Sequence, residues 1–503
     1  MKLLSSAILS LFLHCVLADS LRGSWMDQTQ TKNQVSKQRF QREISAALST
    51  LQDPLSDEVP FWLQVGSNID GEDAGDEFGF SLDISGDGRT IAIGSSDNDG
   101  NGADSGHVRV LSFNDTSGEW IQLGSDIDGE EAGDRSGWSV SLSDNGRIVA
   151  VGAYKNDDNG VDSGHVRVFG FNDRNDDWTQ LGSDIDGEAA RDQSGSSISL
   201  SSDGYRIAIA ARRNDGNGAD SGHVRIYGFD GGSGEWSQIG GDINGESRRD
   251  QSGAHVSLSG DGSRVAIGAY FNDGHENNAG HVRVFELDDT FEWAQLGLDI
   301  NGEAADDYSG YQVSLSQNGD IVAIGAFRND GNGDGSGHVR VFGFADNEWV
   351  QIGSDIDGEA ARDWSGFAVS LSDNGNAVAI GARQNSGNGM NSGHVRVYAF
   401  NSLIGQWFHV GSDIDGEASG DASGQSVSLS NDGTVVAIGA HFNDGNGNNA
   451  GHVRVFSAVV PLSASSGIAI STSEPSFKPT VMPSFLLSLT PMPSSKPSST
   501  PTI

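Results

Sequence analysis

Seven tryptophans, Trp62, Trp120, Trp178, Trp236, Trp293, Trp349 and Trp407, follow one another at 58, 58, 58, 57, 56 and 58 residues. Between them the text repeats as W-x-Q-[LI]-G-S-D-I-D-G-E, then S-V-S-L-S, then V-A-I-G-A, then S-G-H-V-R-V-F. Self-similarity at such a period is the mark of a repeat architecture, and it replaces the roughly three domains that length alone would suggest. Each unit holds four short runs of strand character, in the second repeat Trp120–Gly124, Ser139–Ser143, Ile148–Ala153 and His165–Phe169. They alternate β-branched with polar residues and are separated by turn formers, among them the Asn-Gly hairpin signal of SDNG. No helical periodicity appears in any repeat, and no proline occurs from Trp62 to Phe456. Four strands per unit and seven units predict an all-β fold, a seven-bladed β-propeller of four-stranded blades. A β-solenoid is the other repeat fold open to such a sequence, but its coils are much shorter than these units.

The phase of the repeat predicts how the ring closes. The series opens with a lone Trp strand at Phe61–Gly66 and ends with a lone His-Val-Arg-Val strand at His452–Phe456. With S-V-S-L-S innermost, the last blade lacks its outer strand, and the N-terminal strand completes it; closure of this kind removes free sheet edges. Chain direction then sorts the loops. Those after the Trp strand and after V-A-I-G-A, in the third repeat SDIDGEAARDQSG and NDGNGADSG, leave one face and make it anionic. The tight hairpins leave the other, expected to be comparatively plain.

The ends read differently. Residues 1–18 have the layout of a secretory signal, with Lys2, an apolar run from Leu3 to Leu17 and small residues before Asp19. The run is too short for a transmembrane span. Residues 19–60 are polar, with Phe40, Ile44, Leu48 and Leu51 at the spacing of a short helix. Residues 457–503 hold 8 of the 10 prolines with 13 Ser and 5 Thr, a composition expected to be disordered, extended and often O-glycosylated. The one cysteine, Cys15, lies in the signal. A mature secreted chain without disulfides must rely on core burial, topology or hard metal ions. With 30 basic and 70 acidic side chains the net charge is −40, which excludes nucleic acid and disfavours anionic membranes as partners.

The block GxSVSLSxDGxxVAIGAxxND…SGHVRVF, running through residues 61–456, resembles the FG-GAP repeat of integrin alpha-chain propellers and their secreted relatives. Glu77-Phe78-Gly79 keeps the Phe-Gly, while Ser replaces Phe in Ser136-Gly137; Gly152-Ala153 and Gly268-Ala269 match the Gly-Ala without its proline. The resemblance implies an extracellular seven-bladed propeller used in adhesion or ligand recognition. Its calcium loop does not carry over, because the place before the Gly-Ala strand holds only a hairpin such as Ser143-Asp144-Asn145-Gly146. The Pro-Ser-rich tail resembles those of diatom and other algal surface proteins.

Calcium has another candidate place in the acidic loops. The first loop reads D-I-[DN]-G-E-x3-D, as at Asp126, Asp128, Glu130 and Asp134; Asp184, Asp186, Glu188 and Asp192; and Asp355, Asp357, Glu359 and Asp363. The second supplies Asp215, Asn217 and Asp220. Oxygen-only ligands suit Ca²⁺, and Asn244 and Asn301, replacing the second Asp, keep an oxygen. The competing reading is that Asp, Asn and Gly are here as turn formers. Seven histidines, His107 to His452, each precede an arginine by two residues, so both share a strand face. Arg109, Arg167, Arg225, Arg283, Arg340, Arg396 and Arg454 are expected to link blades, pairing with loop carboxylates such as Asp134. The tryptophans are expected to pack blades. Asn114-Asp115-Thr116 is the one N-glycosylation sequon.

No unique nucleophile, acid/base pair or open metal site stands out. The residues that break the repeat, including Trp138, His255, His275, Tyr308, Tyr311, Trp364 and His441, look scattered over several blades. The leading expectation is a secreted, non-enzymatic recognition or adhesion module, a monomeric ring with Ca²⁺-assisted loops that meets an extracellular protein or glycan. A structural wall or matrix protein held by its tail, and a carbohydrate-active enzyme, are the alternatives.

Overall fold

The structure, a computed structural model, describes residues 61–459. The signal, the 19–60 segment with its helix, and the tail after residue 459 lie outside the described residues. The architecture is the expected one: seven antiparallel sheets, each with four strands in order from inside to outside. In the second blade these are Ser136–Leu142, Ile148–Ala153, His165–Asn172 and Asp177–Gln180. Inner strands of consecutive blades are neighbours, and Ser426–Leu429 of the seventh meets Ser81–Ile84 of the first, which closes the ring.

The closure is the N-terminal strand. Phe61–Gln64 pairs with His452–Val459 in the register Phe61 opposite Val459 and Gln64 opposite Phe456. This corrects the tail boundary. Residues 457–459 belong to the propeller, because the latch strand supplies the ladder partners that carry the third strand past Phe456.

One element was missed. The Ile-Asp of each SDIDG stretch is a two-residue strand that returns to the third strand, with Val166 opposite Ile185 and His165 opposite Asp186. Its isoleucine is buried and its aspartate exposed, the ordinary alternation of a strand.

The cores lie between blades rather than within them. Ile148, Val166 and Val168 of the second blade pack on Ile198, Leu200, Ile207 and Ile209 of the third. The tryptophans sit at the outer end of each such seam. Trp178 donates its indole N–H to the Leu123 carbonyl of the preceding blade at 2.7 Å. The latch residue Trp62 does the same to Val410 at 2.9 Å. Gly124, at φ +75°, is required there, since a Cβ would lie 2.8 Å from the Trp178 ring.

At the hairpin end the axis is shut by a cycle of backbone hydrogen bonds. Gly86 donates to Asp144, Asp144 to Ser202, Ser202 to Gly260, Gly260 to Gln317, Gln317 to Asp373, Asp373 to Asn431, and Asn431 back to Gly86, at 2.7–3.0 Å. One strand-length inward a second ring forms. In six blades an inner-strand amide, such as Leu200, donates to a serine hydroxyl of the blade before, here Ser141 at 3.0 Å, and in the second Leu142 donates to the Asp83 carboxylate instead.

Candidate functional site

The His-x-Arg pairs occupy the seams on the acidic-loop side. Every one of the seven arginines reaches back one blade to a backbone carbonyl, Arg109 to Asp70, Arg167 to Asp128, Arg225 to Asp186, Arg283 to Asn244, Arg340 to Asn301, Arg396 to Asp357 and Arg454 to Asp415, at 2.6–2.8 Å. The carboxylate beside Arg167 is Glu130, at 3.5 Å, and not Asp134. Asp134 is buried and committed locally, accepting from the Glu131 amide at 3.1 Å and from Asn156. The histidines are buried, and desolvation, with the neighbouring arginine, holds His223 and His338 down at about 4, so both are neutral at physiological pH.

The loop carboxylates that are close in sequence are dispersed in space. Asp128, Asp186 and Asp357 are strand residues opposite His107, His165 and His338. Asp192 and Asp363 are buried like Asp134 and accept from Asn214 and Asn385 at 2.8 and 3.0 Å. In the second loop Asn217 uses its side-chain N–H on the carbonyls of Gly245 and Glu246, and Asp215 accepts from the Asp220 amide. A cation ringed by one loop's own carboxylates is therefore not what the fold builds. The residues that do converge come from successive repeats: Glu130 with Asp158, His165 and Asp184; Glu72 with His107 and Asp126; Glu188 with His223 and Asp242, each set with ligand atoms within 4.8 Å. Acidic groups able to hold a metal ion are thus present, in a different grouping. For Glu359 the partners are His394 at 3.9 Å and, beyond it, Asp413; Asp355 joins Glu303 and His338.

The repeat-breaking residues are not scattered. Three positions of each unit face the axis on the acidic-loop side, and there the sequence varies from blade to blade. The first residues of the inner strands bring Phe80, Trp138, His255, Tyr311, Gln312, Phe367 and Gln425 around a cavity of about 190 Å³. Of the residues after Gly-Ala, Arg212 and Tyr270 line it too, while Tyr154, Phe327, Arg383 and His441 pack against its walls. Rings touch almost continuously: Phe80 with Trp138 at 4.5 Å, Trp138 with Tyr154 at 4.4 Å, Tyr311 with Phe327 at 4.6 Å and with Phe367 at 4.9 Å. Guanidinium groups lie over them, Arg383 on Phe367 at 3.8 Å and Arg328 on Tyr308 at 5.2 Å. The third position is Glu77, Arg135, Gln193, Gln251, Tyr308, Trp364 and Ala422, every one left-handed at φ 50–59°. Glycine would adopt that conformation freely, yet none of the seven is glycine. Strain kept in this way clusters at ligand-facing sites. His275 stands apart, exposed in the fourth blade's loop.

Residues 127–169 and 414–456 match the FG-GAP repeat family. The chain carries FG-GAP repeats. Both matches run from the Ile-Asp strand to the end of the His-Val-Arg-Val-Phe block, so an FG-GAP unit here spans the seam between two blades. No curated protein matches the chain. Among solved structures, the hydrazine synthase of Kuenenia stuttgartiensis is similar at a TM-score of 0.50 and 13% identity, covering 79% of this chain and 99% of that one. A putative 6-phosphogluconolactonase from Bacteroides uniformis is similar at 0.47 and 14%, covering 67% and 85%. At such identity the likeness is one of fold.

In the hairpin that precedes each Gly-Ala strand of the FG-GAP unit, the oxygens serve the turn. Asn145 accepts from Ser143 and from the Arg147 amide at 3.0 and 2.9 Å. That face is not plain, however. Asp373 is pushed up to about 6 by desolvation and by Asp144 and Asp432 nearby. Asn114 is exposed at the end of its strand, its Oδ1 accepting from the Thr116 amide at 2.8 Å. Among the described residues no helix is long and apolar enough to cross a membrane.

Proposed function

We propose that this protein is a non-catalytic recognition module, secreted or displayed at a cell surface, that takes its ligand in the axial cup. The observation carrying this reading is the convergence of variable aromatic and cationic residues, several backbone-strained, at one end of an otherwise uniform ring. A repeat that is constant in its seams and divergent only around its axis has its individuality there. Stacked rings offer apolar faces, and Arg212, Arg328 and Arg383 offer positive charge inside an acidic rim. The matching ligand is one with an apolar face and an anion, an acidic glycan or an acidic protein segment. Glu77 is the one carboxylate that the three axial positions bring to the cup, so those positions supply no glycosidase-type acid pair. FG-GAP repeats are typical of extracellular proteins, which supports the localisation. Divalent cations, calcium included, would gather at the loop carboxylates to offset their mutual repulsion.

Titration with uronate-bearing and sulfated polysaccharides, neutral polysaccharides serving as controls, tests this. Trp138→Ser installs the residue that the third blade carries at the same place, Ser196, and should leave folding intact. Arg383→Gln removes a charge. Each is expected to weaken binding of the acidic polymer at least tenfold with unchanged circular dichroism. Equal binding by both variants, or a preference for the neutral polymers, would remove the cup from the reading.

A further inference from the structure

We propose that the seam between the first and second blades is a transition-metal site, with Glu130, Asp158, His165 and Asp184 as ligands and Zn²⁺ as the best-matched ion. The four side chains come from three loops and one strand, and one ligand atom of each lies within 4.8 Å of the others. Three are carboxylates, and beside them stands a single guanidinium, Arg167, 3.5 Å from Oε1 of Glu130. The group therefore carries a net charge of about −2, which a divalent ion neutralises. Glu130 is arranged to serve both cations, Oε1 toward Arg167 and Oε2 toward the imidazole 3.8 Å away.

The histidine points to the ligand independently of the acids. His165 is 1% exposed, and its Nδ1, the atom facing Glu130, has no hydrogen-bond partner. A buried nitrogen left bare costs free energy unless something fills its place. The nearest carboxylate oxygen, Oε2 of Glu130, stands 3.8 Å away, beyond hydrogen-bond reach for either tautomer of the ring.

The seventh blade shows what a filled seam looks like. There Asn68 stands where the other repeats have Asp126 or Asp184. Its amide N–H donates to Glu417 at 3.1 Å and lies 3.5 Å from Nδ1 of His452. A donor thus bridges the histidine and the glutamate. Asp184 in the second blade cannot donate; its Oδ1 is held by Gln180 at 2.6 Å, which leaves the other oxygen for the cluster. The place that the Asn68 amide takes between histidine and glutamate in one seam is fit for a cation in the other.

Imidazole with carboxylates selects the borderline ions over Ca²⁺, whose ligands are oxygens. A tetrahedral ion with bonds of about 2.0–2.1 Å sets neighbouring ligand atoms about 3.3–3.4 Å apart, so the imidazole and Glu130 need to draw in by a few tenths of an ångström. Asp158 distinguishes this seam, because the corresponding residue is Gly100, Gly216, Gly274 or Gly331 elsewhere. Apart from the Asn68 seam, the others are three-ligand copies such as Glu246, His281 and Asp299.

The test uses the full-length, tag-free chain stripped with chelator. Zn²⁺ titration by calorimetry should show one site at least tenfold tighter than the rest, and Co²⁺ should give the intense visible bands of a tetrahedral ion. Asp158→Gly, which recreates the loop of the neighbouring blades, should abolish the tight site and the bands while the melting temperature of the metal-free protein stays unchanged. Asn68→Asp should add one weak site. A hundredfold excess of Ca²⁺ should leave the bands in place. Zn²⁺ uptake identical in the parent and Asp158→Gly, or displacement by Ca²⁺ at equal concentration, would overturn the assignment.

Discussion

Asp83 stands in an axial ring otherwise made of serine hydroxyls, Ser141, Ser199, Ser257, Ser314, Ser370 and Ser428. Its carboxyl accepts from the Leu142 amide and from Ser428, each at 2.8 Å, and takes the bridging role that the serines play in the other blades. Burial nevertheless pushes it up to about 6, the hydrogen bonds recovering only part of the desolvation. The folded state therefore holds the proton more tightly than the unfolded chain. As pH rises from about 4 through 6 the unfolded carboxyl ionises first, and this residue's contribution turns against folding. Asp83→Ser is expected to stabilise the protein at pH 7.5 by about 1–3 kcal/mol, with most of the gain gone near pH 4. Thermal melts of the two proteins at both pH values check this. A gain as large at pH 4 as at pH 7.5 would show that hydrogen-bond geometry rather than ionisation decides.

Among the outer strands, the latch is the one whose ladder partner lies far away in sequence. Six outer strands follow their partner strand across a short turn, whereas Phe61–Gln64 pairs with His452–Val459 from the far end of the ring's sequence, with four ladder residues and one indole hydrogen bond. Removing an indole from a seam costs about 3–5 kcal/mol when the residue is well packed. For Trp236→Ala that loss is local, since the strand stays tethered. For Trp62→Ala the strand itself can leave, uncovering the edge of His452–Val459. Trp62→Ala is expected to melt lower than Trp236→Ala and to be cut by protease near the latch below its melting temperature. Equal melting and equal protection would mean that tethering does not matter. The latch, the strand order and the blade number were legible because they follow from period and phase alone. The metal seam was not. Glu130 meets His165 and Asp184, 35 and 54 positions later, whereas Asp126, Asp128 and Glu130 are neighbours only along the chain. Strand alternation sends Asp128 outward, and the loop carries Glu130 to the next blade. The cup was half legible: Trp138, Tyr311 and Phe367 occupy one column of the repeat, and aligning the units would have gathered what reading along the chain left scattered. The left-handed backbone at Tyr308 or Trp364 had no signal, because it runs against the preference of those residues.

For the ring as a whole, acid sets histidine against carboxylate. Desolvation holds His223, His255, His281, His338 and His394 down at about 4, and His441 at about 3. The unfolded chain protonates these residues near 6.5. Between 6.5 and about 4 the unfolded state thus binds more protons, and their contribution to stability falls as pH falls. Asp83 and Asp373, both near 6, act in the opposite sense over part of the same range. Other carboxyls raised by burial, such as Glu130 and Asp307, act in the same sense as Asp83, their folded forms taking up protons before the unfolded chain does. The unfolded histidines, near 6.5, begin to take up protons before Asp83 and Asp373 do, so the upper part of the window is theirs. In chelator, at constant ionic strength, the melting temperature should therefore drop between pH 7.5 and 5.5, although acid relieves the repulsion carried by a net charge of −40. An unchanged or higher melting temperature at pH 5.5 would mean that charge relief outweighs the seam histidines. Saturating Zn²⁺ should steepen the loss, because protons then compete with the ion for His165 as well.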